Sequence, residues 1–200
     1  MEKSVLLSIH PKWCKRIADG SKTIEVRKTK PKLDIPFKVY IYCTKDNAGL
    51  IPSRYWWKAD KTGFQHILNG KVIGEFVCDK VDYFSFSDSE WAYSVAPAGS
   101  KMPMHETTAL RIMQEQGCLS LDDINAYFGD EDYKAYFWHI SNLVIYDKPR
   151  DLDYFRKPID CHRGKDRENC KGCWDCEITR PPQSWCYVSD TGINTSKGEN

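Results

Sequence analysis

The stretch SIHPKWCKRIADGSKTIEVRK, residues 8–28, changes periodicity twice, and the fold turns on those changes. It grows out of VLLSI at 5–9, a short apolar run that reads as a strand. Pro11 suits the first position of a helix, where its missing N–H costs nothing. Trp13, Cys14 and Ile17 then stand at i, i+1 and i+4, one apolar face of a helix from Pro11 to Asp19, and Gly20 supplies the stop. KTIEVRK alternates instead: Ile24 and Val26 face one way, Thr23, Glu25 and Arg27 the other, as in a strand.

Working outward, FKVYIYC at 37–43 is rich in β-branched and aromatic residues, and Pro31 and Pro36 bracket the connection before it. GKVIGEFVCDKV at 70–81 is strand-like, with Gly74 marking a bulge. Residues 83–103 read as loop. A helix is expected from about Glu106 to Gln116, and Ser120 with Asp123 marks the start of another that Gly129 stops. YKAYFWHISNLVIYD at 133–147 is the longest strand-like run, and QSWCYV at 183–188 a last short strand. Few helices among many short strands predict an α+β fold: a mostly antiparallel β-barrel with peripheral helices. One domain is expected over 1–190, with a helical insertion at about 104–130 and a disordered tail at 191–200.

No run approaches the length of a membrane-spanning helix, and MEKSVLLSIHPKW is not a signal peptide, so a cytoplasmic protein with no membrane partner is expected. The net charge of +1 hides an asymmetry: residues 1–80 carry 16 Lys+Arg against 8 Asp+Glu, and residues 81–160 carry 7 against 14. The basic first part suits a polyanion such as nucleic acid, or is a solvated face that the acidic middle partly neutralises.

The same 8–28 stretch resembles the opening of the ASCH domain, a member of the PUA-like barrel superfold. That family shows a strand, a helix and then Gly-x-Lys-x-x-Glu-x-Arg entering the second strand. Gly20, Lys22, Glu25 and Arg27 reproduce it with the spacing intact. FWHISNLVIYDKP and RPPQSWCYV are similar to segments of phage-type and prophage-type ASCH proteins, so the resemblance spans roughly residues 4–190. It implies a barrel with a charged cleft that binds RNA, single-stranded nucleic acid or a nucleotide-like ligand. On the residues themselves, Arg27 offers a planar fork suited to phosphate or a base edge, and Glu25 lies on its strand face, close enough to pair with it.

Some ASCH proteins are similar to acetylcytidine amidohydrolases, which use a Lys–Thr–Glu constellation on a modified nucleoside. Lys22 matches the lysine and Glu75 the glutamate, but the threonine position holds Glu25. Catalysis here would rest on Lys22 as oxyanion stabiliser with Glu25 or Glu75 as general base, and Lys22 meets Glu25 only if it lies in the turn before the strand. Other ASCH proteins are described as ribonucleases, for which His10, His66, His105 and His139 are candidate bases. Tyr55, Trp56 and Trp57, interleaved with Arg54 and Lys58, either stack on bases beside a basic groove or anchor an inserted loop.

The nine cysteines divide unevenly. Cys14, Cys43, Cys78 and Cys118 are scattered and expected to be buried thiols. Cys161, Cys170, Cys173, Cys176 and Cys186 crowd into the last part of the chain. The spacing Cys161-x8-Cys170-x2-Cys173-x2-Cys176 offers four thiolates to a closed tetrahedral Zn²⁺, within a segment too polar to make a core. A structural zinc at 161–176, inserted before the last strand, is expected, with His162 or Cys186 as replacement ligands.

Overall fold

Ser4 to Ile9 are buried on both faces of strand β1 (Lys3–Ile9), the mark of a strand in the middle of a sheet. β1 pairs antiparallel with β10 (Trp185–Ser189) and parallel with β3 (Phe37–Cys43). Parallel neighbours need a crossover, supplied here by helix α1 (Pro11–Ala18) and strand β2 (Ile24–Arg27). With β4 (Lys71–Cys78) and β9 (Ser141–Arg150) the larger sheet runs β10-β1-β3-β4-β9. A second sheet, β2-β8-β5, adds β8 (Tyr133–His139) and β5 (Val81–Phe86), and β6 (Tyr93–Val95) pairs with β7 (Lys101–Pro103). This computed structural model describes residues 3–45, 69–86, 93–95, 101–103, 105–129, 133–158 and 176–189.

The fold is α+β and mostly antiparallel, as expected, but among the described residues the strands do not close a barrel. Two of the chain's passages between the two sheets are tight corners. One corner is Asp79–Lys80, which divides the expected strand at 70–81 into β4 and β5. The other is Ile140, which divides the long run at 133–147 into β8 and β9. There the His139 N–H donates to the Lys80 carbonyl at 3.0 Å and the Ile140 N–H to the Thr23 carbonyl at 2.9 Å, pinning the two corners together. The stretch expected as loop at 83–103 holds the end of β5 and both strands of the small hairpin.

Three clusters of buried side chains follow. Val5, Leu7, Ile9, Val39, Ile41 and Phe76 pack against Cys14 and Ile17 of α1 and against Trp138. Ile24, Val26, Phe84 and Phe137 pack under helices α2 (Glu106–Glu115) and α3 (Leu121–Phe128) through Met113, Ile124 and Phe128. The opposite face of the larger sheet carries Leu6, Tyr40, Tyr42 and Val188, covered by Phe155 and Ile178.

Local signals at the helix ends hold. Ser120 Oγ accepts from the Asp123 N–H at 3.1 Å and Asp123 Oδ2 from the Ser120 N–H at 3.0 Å, a complete capping box. Gly129 ends α3 at φ 83°. Gly74 sits where the β4–β9 register shifts, and a Cβ there would lie 2.4 Å from the Val144 carbonyl oxygen. Among the described residues no helix is long and apolar enough to cross a membrane. The expected tail at 191–200 lies outside the described residues.

Candidate functional site

Lys22 lies in the turn between α1 and β2, not on the strand. Gly20 adopts φ 78° and the Lys22 N–H donates to the Arg16 carbonyl at 2.8 Å, so the chain doubles back before β2 begins. That turn brings Lys22 to the face shared by Glu25 and Arg27. Lys22 Nζ stands 3.4 Å from Glu25 Oε2, and Arg27 Nη2 stands 2.9 Å from Glu25 Oε1. The three side chains are 2%, 7% and 11% exposed. The Gly-x-Lys-x-x-Glu-x-Arg spacing therefore encodes one buried triad.

Each cation has a further anchor. Lys22 Nζ donates to the Gly117 carbonyl at 2.7 Å, and Arg27 donates to the Ser8 carbonyl at 2.5 Å and to Ser184 Oγ at 3.3 Å. Two buried cations share one carboxylate, which leaves one positive charge in excess. Glu25 Oε2 and Arg27 Nε are buried and make no hydrogen bond. The Lys22–Glu25 contact is thus a charge contact without hydrogen-bond geometry. Buried charges of this kind are costly when incompletely satisfied, and they call for an account beyond stability.

A cavity of about 460 Å³ opens against the triad. α1 contributes Trp13, α3 contributes Asp123 and Tyr127, and His10 and Thr44 complete its rim. Trp13 lies between two ammonium groups: Lys12 Nζ is 4.3 Å and Lys22 Nζ 5.2 Å from its ring centroid. Lys12 also reaches across to Asp123 at 3.0 Å, joining α1 to α3 at the mouth. Burial pushes the Tyr127 phenol up, while the Arg27 charge and a hydrogen bond with Arg27 work against that. Trp13 and Tyr127 are thus among the walls of a cavity that also holds the Lys22, Glu25 and Arg27 charges.

Glu75 is elsewhere. It pairs with Tyr40 in register, on the sheet face turned away from α1. It accepts a hydrogen bond from the Tyr146 hydroxyl and lies 3.8 Å from Lys38 Nζ. Burial, then Glu75 itself, push the Tyr146 phenol up. The structure does not bring Glu75 to Lys22. Nor does it bring the candidate histidines together. His10 lines the cleft, His139 pairs with Asp82 at 2.8 Å, and His105 precedes α2. His66 and the Arg54, Tyr55, Trp56 and Trp57 cluster lie outside the described residues.

Sequence reasoning did not reach Asp123, Tyr127 and Thr44 as site residues, nor Trp13 as more than part of an apolar face. The one available signal was on α1, where Cys14 and Ile17 are buried but Trp13 sits at the edge of their face and is only partly covered. Of the scattered cysteines, Cys14, Cys43 and Cys78 are buried as expected, with burial raising the Cys78 thiol to about 12. Cys118 is not buried: it occupies a positive-φ turn at 56° and is partly exposed. In the cysteine-rich part, Cys176 is buried and Cys186 half-buried, while Cys161, Cys170 and Cys173 lie outside the described residues. Among the described residues no group of metal-ligating side chains forms.

No curated protein matches the chain. Among solved structures, a serine-to-alanine variant of the ASCH protein of Zymomonas mobilis is similar in fold, with 15% identity and TM-score 0.52 over 94% of this chain and 89% of that one. A tyrosine-to-phenylalanine variant of the same protein gives 16% identity and TM-score 0.50 over 94% and 91%. Residues 7–150, which hold Lys22, Glu25 and Arg27, match the ASCH domain model, and the chain belongs to the ASCH domain family.

Proposed function

We propose that the protein binds RNA, or a nucleotide-like piece of it, in the cleft above Lys22, Glu25 and Arg27. The observation that carries this reading is the excess positive charge of the buried triad at the base of a slot with Trp13 and Tyr127 among its walls. A base fits beside these aromatic side chains, with its polar edge toward the charged residues Lys22, Glu25 and Arg27 that line the cavity. Fluorescence anisotropy with a labelled eight-nucleotide RNA at low salt tests it. Trp13→Ala removes one wall, and with it the ring beside Lys22, while keeping the ion pairs of the triad; about tenfold weaker binding is expected if one stacking contact of 1–3 kcal/mol is lost. No binding by the unaltered protein, or unchanged binding in Trp13→Ala and in Lys22→Met, sinks the reading.

A second reading, hydrolysis, rests on the 3.4 Å approach of Lys22 to Glu25. Glu25 takes a proton from the water that attacks an acyl amide, Lys22 stabilises the developing oxyanion, and the C–N bond breaks as Glu25 returns the proton to the departing amine. On RNA Glu25 would take the 2′-hydroxyl proton and the P–O5′ bond would break, the proton passing to the leaving 5′ oxygen. Turnover of N4-acetylcytidine and of labelled RNA by the pure protein separates this from binding alone.

For the cysteine-rich segment the proposal is one structural Zn²⁺ on Cys161, Cys170, Cys173 and Cys176. Its supports are the spacing and the burial of Cys176, whose carbonyl accepts from the Lys157 N–H at 2.8 Å.

A further inference from the structure

Between β2 and β3 the chain reads KTKPK at 28–32. Lys28, Lys30 and Lys32 recur every second residue and all three are exposed. Among the described residues none of the three pairs with a carboxylate. Such a concentration of unneutralised charge is ordinary on a mobile surface loop, but this loop is fastened. Its fastenings run step by step along the chain leading into β10: Arg27 to Ser184 Oγ at 3.3 Å, Trp185 Nε1 to Thr29 Oγ1 at 3.0 Å, and the Lys32 N–H to the Tyr187 hydroxyl at 2.7 Å. Pro31 between them is buried.

The row begins at the cleft. Arg27 is in its floor, and the next residue, Lys28, holds its ammonium 5.2 Å from the ring centroid of Tyr127, a cleft residue. At the far end Lys3 lies 5.9 Å from the Tyr187 ring, adding a fourth exposed cation beside the same strand. A lone nucleotide in the cleft would leave these lysines idle.

We propose that Lys28, Lys30 and Lys32 form a fixed rail for the phosphates of a single strand whose neighbouring nucleotide occupies the cleft, so that the ligand is a polynucleotide and not a free nucleoside or nucleotide. This rests on the cleft reading above and extends it to the ligand's length. Lysines carried on a fastened backbone bind phosphates with less entropy lost on ordering than the same lysines on a free loop. The contacts are to phosphate, so they are blind to base sequence and serve RNA and single-stranded DNA alike.

The test compares the full chain with Lys28→Gln/Lys30→Gln/Lys32→Gln, and with a control of equal charge change at the exposed Lys134, Lys148 and Lys157. Affinities for uridine monophosphate, an eight-nucleotide RNA and the matching single-stranded DNA are measured across a salt series. Each phosphate contact on a single strand contributes about 0.7 to the slope of log K against log salt, so the rail variant should lose about 2 from the slope with both oligonucleotides. Its mononucleotide affinity should fall far less than its oligonucleotide affinity, because only Lys28 borders the slot, and the control should keep the full slope. An unchanged slope in the rail variant, or an equal loss in the control, overturns the rail. So does an unaltered protein that binds the oligonucleotides no more tightly than the mononucleotide, although mononucleotide binding sensitive to Trp13→Ala would leave the cleft reading standing. Failure of every ligand to bind removes both.

Discussion

The Lys22 ammonium donates to the Gly117 carbonyl at 2.7 Å, which fastens the head of β2 to the chain just past the end of α2. A cation beside a helix C-terminus meets carbonyls with no intrahelical partner. The neighbouring Gln116 carbonyl accepts from the N–H groups of Thr23 and Ile24 at 2.9 and 3.3 Å. Lys22 therefore serves two masters, the helix end and Glu25, and the triad is unequal in what each member holds.

That inequality orders the effects of substitution. Lys22→Met removes one cation but leaves Glu25 paired with Arg27, so the loss is near that of a charged hydrogen bond, about 2 kcal/mol. Glu25→Gln leaves two buried cations facing each other without a counter-charge, and about 3–5 kcal/mol is expected. Urea unfolding of both variants measures this. A larger loss in Lys22→Met than in Glu25→Gln would mean that the helix-end bond, not the carboxylate, dominates.

Acid sensitivity should originate partly at Asp82. Burial acts to raise its carboxyl, but hydrogen bonds from His139 and Lys80 and their charges outweigh it and hold the group below the usual aspartate range. A group whose folded pKa is depressed binds fewer protons folded than unfolded. Its stabilisation is present above the unfolded value, about 3.9, and is lost as pH falls through the folded one. Asp19 and Asp123 are lowered in the same direction. Unfolding free energy should be flat near neutrality and fall below about pH 4. Asp82→Asn should be less stable near neutrality and show a shallower acid slope, and an identical slope in the variant would exclude Asp82 as a source.

Local chemistry made some of this fold legible and long-range pairing hid the rest. The capping box of Ser120 and Asp123, the Pro11 start of α1 and the bulge at Gly74 are decided within a few residues, and sequence shows them. The corner at Ile140 is not: β8 and β9 read as one strand-like run, and the division shows only in the bonds to Lys80 and Thr23. The triad was legible because Gly20 and its neighbours set the turn locally. The cleft walls were not, since Trp13 and Tyr127 are separated by more than a hundred residues and meet only through packing. Glu75 aligned by motif yet falls on the other sheet face, because strand alternation carries no record of which face holds a site.

Gly74→Ala tests the bulge directly. The added methyl would sit 2.4 Å from the Val144 carbonyl oxygen, a backbone atom of the paired strand that cannot swing aside. β4 and β9 must separate locally, at a cost of about 1–3 kcal/mol. Gly20→Ala meets no atom within 4 Å and costs only the strain of φ 78°. Thermal unfolding should rank Gly74→Ala as the more damaging, and the reverse order would show that the β4–β9 pairing yields easily.

The metal makes the last prediction. Between Cys161 and Cys176 the sequence offers Arg163, Lys165, Arg167 and Lys171, four trypsin sites, and little apolar material to order the chain. Zinc in small structural motifs contributes on the order of 10 kcal/mol of local folding free energy. Protein purified without chelator should therefore carry one zinc per chain and resist trypsin in this segment. Chelation should open those four sites while the three cores, which among the described residues contain none of the four proposed ligands, keep the sheets folded. Cys173→Ser should lose the metal, and Cys118→Ser, a partly exposed thiol outside the cluster, should retain it. Zinc near zero in the unaltered protein, or full zinc in Cys173→Ser, would remove the site. Retention in Cys161→Ser with loss in Cys186→Ser would instead exchange one ligand and keep the rest.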